Sequence, residues 1–419
     1  MFRQLMIAGI AAGFVGAQAQ TMDTTEALDR AFVAGYKAQF TCSGTFNAGK
    51  SRDAIAADEL TGIYPDYRDA LAKLPEAQIE LEKGYVGVAW SETLPDRYAI
   101  HLGNGLGCRS LPIGAKLEDF ISLAKPAAKE TTGPETIAAC DQKSTSVLID
   151  PEASTEGVSV PVALGPVIEA AFDGNTYAAG NKTSAILVVR NGVILGEKYI
   201  ENSGMCVPQR TWSVGKSISA TVIGAAVQLK LLDVKAPTGL KAWATQGDPR
   251  QAITLENLLQ MASGLDSGEK GSRSDQIYFG GGSVDEHAMN RSLEVAPGTR
   301  FKYANDDTLL AMRTLREKFP SVADYNAFPK AAVLDRLGMN STSMETDWRG
   351  NFVSSSQVWT TARDLAKLGQ LYLNDGVWAG QRILPEGWAN YVAAPTGPQP
   401  ENGNGYGAQF WLPKGKDGL

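Results

Sequence analysis

The alternation of apolar and polar positions is most regular in the middle of the chain, where it predicts one long buried helix. Apolar residues recur there at helical spacing, at Val214, Ile218, Val222, Ala225, Leu229 and Leu232. A second apolar stripe fills a neighbouring face, and no charged residue occurs between Lys216 and Lys230. A helix that is apolar almost all round is buried in a large core. The pattern therefore places Ser213 and Lys216 in the first turn of a buried helix.

Periodicity and turn residues predict the other elements of the chain. Helical spacing predicts an amphipathic helix at 24–40 and further helices at 167–172, 255–262 and 362–373. Residues 79–115 and 406–412 have an extended pattern, and a turn is expected at 413–418. β-rich runs at 185–190 and 193–199 flank Asn191-Gly192, a strong signal for a two-residue hairpin. These elements predict an α+β or α/β sandwich, in which an antiparallel sheet is flanked by helices and an all-helical subdomain.

The N-terminus has the pattern of a signal peptide. Arg3 precedes an apolar run at 5–16, and Ala17-Gln18-Ala19 has the small residues of a cleavage site. The run is too short to span a membrane, and no later segment reaches about 18 uncharged apolar residues. We therefore predict a signal peptide at 1–19, cleaved after Ala19, and a protein that is periplasmic or secreted.

Composition divides the rest of the chain into three parts. We predict an N-terminal α+β extension at 20–124 and the main domain at 161–419. Between them, residues 125–160 are rich in Thr, Ala, Pro and Glu, which is typical of a connector. The chain is 43% hydrophobic and 20% charged, as expected for a globular protein with a large core. Its net charge of −7 and the lack of a Lys/Arg-rich block argue against nucleic acid as the main partner.

The cysteines indicate an oxidising compartment. Cys42, Cys108, Cys140 and Cys206 are even in number and widely spaced, as expected where disulfides persist. Several pairings are open, and we favour Cys42–Cys108 and Cys140–Cys206 because each closes a compact consecutive unit. No Cys/His pairing has metal-ligand spacing, so no metal site is predicted.

The stretch Ser213-Val214-Gly215-Lys216 carries the most chemical information. Residues three apart share a helix face, with Cβ atoms about 5–6 Å apart, so the lysine amine can reach the serine hydroxyl. The positive end of the helix dipole stabilises an alkoxide at Ser213. Desolvation and the dipole together disfavour a charged Lys216, which can then act as a base. The competing interpretation is an N-capping serine followed by a surface lysine.

A second motif, Tyr303-Ala304-Asn305, follows a turn and a short extended segment. Tyr303 offers a phenol that can shuttle protons, although a buried tyrosine with one satisfied hydroxyl is the plainer interpretation. Asn305 offers an amide that can bond both the lysine and a substrate carbonyl. With Ser-x-x-Lys followed by Tyr-x-Asn, the sequence resembles the serine β-lactamase and penicillin-binding-protein superfamily. It is most similar to class C β-lactamase-related esterases and 6-aminohexanoate-dimer hydrolases.

The resemblance extends over roughly residues 165–412 and includes the stretches 253–265, 297–305 and 360–366. It implies Ser213 as nucleophile, Lys216 as base and Tyr303 as proton shuttle, with no metal or organic cofactor. It also implies a β-lactamase-like fold, with the active site between the sheet and the helical subdomain. Members of the superfamily carry a further strand with a Lys-Thr-Gly motif or an equivalent. This sequence shows no such strand, so we expect the C-terminus to be incomplete.

Together these observations predict an exported serine hydrolase that cleaves an amide or ester bond of a small molecule through an acyl-enzyme on Ser213. The backbone N–H of Ser213 is expected to form half of the oxyanion hole, and Asn305 is expected to orient Lys216 and the substrate. Two alternatives stay open. One is a β-lactamase or DD-peptidase, and the other is a non-catalytic exported binding protein on the same fold. The sequence does not indicate an oligomeric state.

Three other kinds of site are less favoured by the sequence: a nucleotide site, a Ser-His-Asp triad and a zinc site. Residues 44–51 fit the P-loop pattern, but a helix rather than a strand is predicted before them. The two histidines, His101 and His287, occur without G-x-S-x-G or H-E-x-x-H, which argues against a Ser-His-Asp triad and against a zinc protease. We expect His287 to be a surface residue.

Two features near the predicted site are interpreted structurally. Asp306-Asp307 would be an N-cap for a helix that starts at Thr308, rather than a pair of reactive carboxylates. Trp212 would pack beneath the helix of Ser213 rather than form a wall of the site.

Overall fold

The computed structural model describes residues 24–127, 147–200, 203–268, 273–401 and 403–412. The predicted signal peptide, Cys140 and the turn at 413–418 lie outside these ranges. Of the helices within them, none is both long enough and apolar enough to cross a membrane.

The N-terminal extension is a long helix packed across a small sheet. Its helices are α1 (Thr24–Phe46), α2 (Arg52–Asp58) and α3 (Arg68–Ala72). Its strands form an antiparallel sheet in chain order: β1 (Gln78–Glu80), β2 (Tyr85–Val88), β3 (Arg97–His101) and β4 (Cys108–Ser110). The strands fall in the region predicted to be extended, whereas α1 continues beyond the predicted 24–40.

Helix α1 is more deeply buried than its predicted amphipathic pattern suggests. Every residue from 31 to 46 is buried, because the sheet covers one face of the helix and the main part of the chain covers another. Tyr36 on α1 packs edge-on against Phe279, with the ring centroids 5.1 Å apart. The extension and the main part therefore share one hydrophobic core.

Disulfides involve at least three of the four cysteines. Cys42 on α1 is bonded to Cys108 on β4, which is the pairing that the sequence favours, with the two Cα atoms 6.1 Å apart. Cys206 is also disulfide-bonded, and its predicted partner, Cys140, lies outside the described residues.

A buried carboxylate, Glu345, ties the extension to the main part of the chain. Its side chain accepts hydrogen bonds from Ser43 Oγ (2.6 Å), Gln39 Nε2 (2.9 Å), Asn47 Nδ2 (2.9 Å) and the backbone N–H of Cys108 (3.1 Å). Glu345 is 1% exposed, and burial raises its pKa to about 7 although these hydrogen bonds oppose the shift. One side chain thus satisfies donors from α1, from β4 and from the loop after α1.

The main part begins with a helix and the predicted hairpin: α4 (Leu164–Ala170), β5 (Ala185–Arg190) and β6 (Val193–Tyr199). Arg190 pairs with Val193 across the hairpin, so Asn191 and Gly192 form a two-residue turn. Their φ angles are +52° and +76°, the left-handed values that a type I′ turn requires. The asparagine and the glycine are both suited to this conformation, which is why the signal was strong.

The central helix is α5 (Val214–Gln228), at the position that the periodicity predicts. Ile218, Val222 and Ile223 have no exposed surface. The helix packs against α8 (Asn305–Arg316) and the π-helical segment Lys330–Leu334. Its N-terminal turn is therefore held between the helical region and the strands that precede it.

The remaining helices of the described chain are α6 (Leu255–Leu259), α7 (Asp275–Tyr278), α9 (Val322–Pro329), α10 (Asp335–Leu337), α11 (Ala362–Leu373) and α12 (Trp388–Val392). The remaining strands are β7 (Gln209–Arg210), β8 (Ser343–Met344), β9 (Val358–Thr360), β10 (Val377–Trp378) and β11 (Gln381–Arg382). Strands β7, β9 and β8 form a three-stranded antiparallel sheet in that order. The predicted architecture of antiparallel sheets flanked by helices is confirmed.

The single strand predicted at 406–412 is wrong. These residues belong to a tight hairpin of β12 (Gly405–Tyr406) and β13 (Trp411–Leu412). Gln409 lies in the turn with φ +65° and is buried there. Its side chain donates to two carbonyls of α6 and accepts a hydrogen bond from Thr308 Oγ1 (2.6 Å). These buried hydrogen bonds hold the chain in a turn that the apolar pattern does not reveal.

Candidate active site

Ser213 stands at the start of α5 with its hydroxyl free of any capping role. Strand β7 leads to Thr211, which is fixed because its N–H and Oγ1 both donate to the carbonyl of Val358 (2.9 and 3.0 Å). Trp212 follows with φ +49°. Ser213 is exposed, and its side chain accepts no hydrogen bond from the first turn of the helix. Ser213 thus occupies the N-cap position of α5, but its side chain makes no capping hydrogen bond.

Lys216 lies one turn further on and is buried rather than at the surface. Its side chain is 1% exposed, and Nζ donates to Asn305 Oδ1 (2.6 Å), to the carbonyl of Ser355 (2.8 Å) and, more weakly, to Ser213 Oγ (3.4 Å). Burial lowers the pKa of Lys216 to about 7. Near neutral pH a large share of the molecules then carries an uncharged amine beside the serine hydroxyl.

Asn305 and Tyr303 approach Lys216 in different ways. Asn305 is the first residue of α8, is buried, and contacts the amine through its side-chain oxygen. Tyr303 presents its ring, whose centroid is 5.0 Å from Lys216 Nζ. Within the described ranges no hydrogen bond joins the Tyr303 hydroxyl to Ser213 or Lys216. The structure thus brings all four residues of the two sequence motifs together, with Tyr303 in contact through its ring.

Tyr303 also belongs to a group of aromatic side chains. Trp411 lies 5.4 Å and Tyr406 6.1 Å from the Tyr303 ring, between centroids, and Phe301 packs on both Tyr406 and Trp411. Tyr406 is 2% exposed, whereas Trp411 is 42% exposed. The hairpin of β12 and β13 therefore places a partly accessible apolar surface beside the site.

A run of buried serines supports Lys216, and the sequence analysis missed it. Ser355 supplies the carbonyl that accepts from Lys216, and its hydroxyl shares a short hydrogen bond with the hydroxyl of Tyr278. Ser354 Oγ accepts from Ser219 Oγ on α5 (2.7 Å). Consecutive serines usually indicate an exposed loop, so no local signal distinguishes this run from a surface turn.

The predicted cap at Asp306-Asp307 is wrong. Helix α8 begins at Asn305, and both aspartates lie buried in its first turn, where the helix dipole favours negative charge. Asp306 accepts from Ser274 Oγ and Arg291 Nε (both 2.8 Å). Asp307 accepts from Ser263 Oγ (2.7 Å), and burial raises its pKa to about 7. The partners of Asp306 and Asp307 in the described chain are thus side chains of neighbouring loops.

Trp212 does not pack beneath the helix as expected. Its indole is 44% exposed, and one face is covered by the guanidinium of Arg210, with Cζ 3.5 Å from the ring centroid. Trp212 therefore stands at the surface directly before Ser213.

The P-loop pattern and the two histidines lie in surroundings that do not match the sites they would form. Residues 44–46 are the last turn of α1, so a helix occupies the place where a P-loop requires a strand. His101 stacks on Phe46, with the ring centroids 4.9 Å apart. His287 is half-buried. Among the described residues, no group of three His, Cys, Asp or Glu side chains is placed to hold a metal ion.

A buried lysine one turn after an exposed serine, with an asparagine and a tyrosine beside the amine, defines a class of hydrolase site on an α+β fold. A profile of the β-lactamase family matches residues 176–418. The chain belongs to the β-lactamase family, a family of hydrolases, and the resemblance inferred from the sequence motifs is confirmed.

Individual relatives are distant. A 6-aminohexanoate-dimer hydrolase from Paenarthrobacter ureafaciens is 26% identical over 231 residues, which is 51% of this chain and 57% of that protein. The match thus spans less than two thirds of that relative. A penicillin-binding protein from Bacillus halodurans aligns with 16% identity and a TM-score of 0.45, over 56% of this chain and 81% of the other. A D-alanine carboxypeptidase from Burkholderia cenocepacia aligns with 18% identity and a TM-score of 0.41, over 54% of this chain and 68% of the other.

Proposed function

We propose that this protein is an exported serine hydrolase that cleaves an amide or ester bond of a small molecule through an acyl-enzyme on Ser213. The observation that carries the proposal is the buried amine of Lys216, which lies 3.4 Å from an exposed serine hydroxyl. Burial lowers the pKa of Lys216 to about 7, so the amine can accept a proton under physiological conditions. A base must lie within hydrogen-bond reach of its proton, and such distances often tighten when substrate binds.

The reaction proceeds in two steps. Uncharged Lys216 takes the proton of Ser213 while Oγ attacks the substrate carbonyl, and the tetrahedral intermediate collapses to an acyl-enzyme as the amine or alcohol leaves. Tyr303, which lies beside the Lys216 amine, would relay the proton to the leaving group through its hydroxyl once substrate is bound. Water then attacks the acyl-enzyme with the same groups acting in reverse, and Ser213 is restored.

Two further groups would assist the chemistry. The backbone N–H of Ser213, at the positive end of α5, would stabilise the developing oxyanion. Asn305 holds the Lys216 amine through its side-chain oxygen, and we expect it to orient both the lysine and the substrate.

The choice of an amide or ester as substrate rests on two supports. A relative bears the name 6-aminohexanoate-dimer hydrolase, which points to a linear amide. Trp411, which is 42% exposed, offers apolar surface for a carbon chain. Export is supported by the disulfide between Cys42 and Cys108, because such bonds persist in oxidising compartments.

The test compares three reagents on one protein: a fluorophosphonate, a fluorescent penicillin and a p-nitrophenyl ester. We expect the phosphonate to add once, at Ser213, and the ester to be hydrolysed. Ser213→Ala should abolish labelling and lower kcat by at least about 10³-fold. Ser217→Ala, a change to the next serine on α5, is the matched control and should keep its label.

The outcomes separate the candidate functions. Stable acylation by the penicillin would favour a DD-peptidase, and its rapid turnover would favour a β-lactamase. Labelling at a residue other than Ser213, or ester hydrolysis that survives in Ser213→Ala, would refute the proposed mechanism. A protein that neither labels nor hydrolyses would be a binding protein on this fold.

A further inference from the structure

We infer that the N-terminal extension positions the reactive serine, by clamping Arg210 between Phe40 of the extension and Trp212 of the serine turn. We call Phe40, Arg210 and Trp212 the aromatic clamp. The inference rests on the proposed role of Ser213 as nucleophile. It assigns a function to a region that precedes the 176–418 match to the family.

The clamp holds a buried cation by ring faces. The Arg210 Cζ atom lies 3.6 Å from the centroid of Phe40 and 3.5 Å from that of Trp212. Arg210 is 7% exposed, and within the described chain none of its guanidinium nitrogens makes a hydrogen bond of good geometry. The Tyr36 hydroxyl donates to the carbonyl of Glu59 (2.5 Å) and lies beside the guanidinium, where its oxygen can also accept a hydrogen bond. The two ring faces cover the guanidinium, and Tyr36 of the extension adds a polar contact to it.

The residue that the clamp holds has a strained backbone. Trp212 has φ +49°, a conformation that is uncommon for bulky residues and persists where the surroundings enforce it. It directly precedes Ser213, so a rotation at Trp212 changes the direction of the Ser213 hydroxyl. On the other side, the backbone of Arg210 is fixed because β7 pairs with β9. The clamp adds the missing restraint on the indole.

Phe40 is a rigid support for this stack. It has no exposed surface, and the ring of Tyr36 packs against it with the centroids 4.5 Å apart. Two residues further along α1, Cys42 is disulfide-bonded to Cys108 of the sheet. A change of position at Phe40 would require α1 to move against its own sheet.

The extension also reaches Lys216 by a second route. Tyr67 donates to Asp275 Oδ2 (2.8 Å), and Arg97 Nη2 donates to the carbonyl of Phe279 (3.1 Å). These two contacts hold both ends of α7, which carries Tyr278. Tyr278 bonds the hydroxyl of Ser355, whose carbonyl accepts from Lys216. The proposed nucleophile is therefore linked to the extension through two residues, and the proposed base through three.

The first test removes the clamp from either side and compares it with a matched control. Phe40→Leu and Arg210→Met each abolish the stack with little change in volume. Phe46→Leu removes another buried phenylalanine from α1, one that stacks on His101 instead. The readouts are the rate of fluorophosphonate addition to Ser213, kcat and KM for the p-nitrophenyl ester, and the midpoint of thermal unfolding.

We expect the two clamp variants to lose about 10-fold or more in labelling rate and in kcat, because small misplacements of reacting atoms are costly. KM should stay within about threefold, since the clamp does not touch the substrate-binding groups. Phe46→Leu should lower the unfolding midpoint to a similar extent and leave kcat within about twofold. Equal kcat values in the three variants would overturn the inference.

A second variant acts on the clamp without removing a buried group. Gly62 is exposed, and a Cβ added there would lie 3.4 Å from Cζ2 of the Trp212 ring. Gly62→Leu should displace the indole from the extension side and slow labelling severalfold while the unfolding midpoint is retained. An unchanged labelling rate in Gly62→Leu would contradict the clamp even if Phe40→Leu and Arg210→Met failed to fold.

The same experiment separates this inference from the proposed function. If the wild-type protein does not label at Ser213, the proposed nucleophile is wrong. If it labels there, but the clamp variants and Gly62→Leu label as fast as Phe46→Leu, the nucleophile stands and the positioning role is refuted.

Discussion

The activity of this protein should rise with pH as Lys216 loses its proton. Burial lowers the pKa of this lysine from 10.5 to about 7, which corresponds to ~5 kcal/mol against the charged form. If the neutral amine is the base, the reactive fraction is about one tenth at pH 6, one half at pH 7 and nine tenths at pH 8. The value of kcat/KM should therefore increase about tenfold from pH 6 to a plateau above pH 8.

The assay is initial-rate hydrolysis of the p-nitrophenyl ester between pH 5.5 and 9 at constant ionic strength, corrected for spontaneous hydrolysis. The rate of phosphonate labelling at Ser213 provides a second profile that does not depend on deacylation. Both should show a single ascending limb with a midpoint near pH 7. A flat profile, or a rate that still rises about tenfold per pH unit at pH 9, would refute the assignment of Lys216 as a base with a pKa near 7.

The same titration has a signature in stability. Because the pKa of Lys216 is lower in the folded than in the unfolded chain, the unfolded chain binds the extra proton between about pH 7 and 10.5. The contribution of Lys216 to the free energy of unfolding should thus rise with pH across this window. Lys216→Met has no group that titrates there. The difference in unfolding free energy between wild type and Lys216→Met should therefore follow this slope, and a constant difference would contradict it.

Three further predictions concern other residues. Lys216→Arg should be nearly as inactive as Lys216→Ala in the ester assay, because arginine is not deprotonated in proteins; substantial activity would show that the lysine acts only through its charge. Thiol titration of the unfolded, unreduced protein should find no free thiol, and replacing both Cys42 and Cys108 by alanine should cost about 4 kcal/mol in chemical denaturation; two or more free thiols would exclude the paired state. The pKa of Glu345, raised from 4.5 to about 7, means that the folded chain binds the extra proton in that window. Its contribution to stability is therefore complete below about pH 4.5 and declines towards pH 7, a slope that Glu345→Gln should lack in urea titrations.

The sequence predicts those parts of the fold and site that depend on local patterns. The helix of Ser213 and Lys216 could be placed because a long apolar repeat at helical spacing, without charges, is typical of a buried helix. The hairpin at Asn191-Gly192 could be placed because its turn needs two left-handed residues. Both signals lie within a few residues of the element that they define.

Other features depend on contacts between distant segments, which periodicity does not encode. The full burial of α1 follows from a second layer that covers its polar-looking face. The turn at Gln409 follows from buried hydrogen bonds to α6 and Thr308. The carbonyl of Ser355, 139 residues from Lys216, belongs to a run whose composition is that of an exposed loop. An arginine is usually expected at the surface, so the burial of Arg210 between the rings of Phe40 and Trp212 could not be predicted from its residue type.

The contacts of Glu345 bear on the order in which the chain can fold. Its hydrogen bonds to Ser43 and Gln39 connect positions 302 and 306 residues apart. Helix α1 is made early, yet the carboxylate that satisfies its buried polar side chains is synthesised about 300 residues later. Until then the face of α1 that points away from its own sheet lacks its partners, and such apolar surfaces bind chaperones or aggregate when left exposed. We therefore expect α1 to dock late, so that refolding from denaturant is slow for a protein of this size.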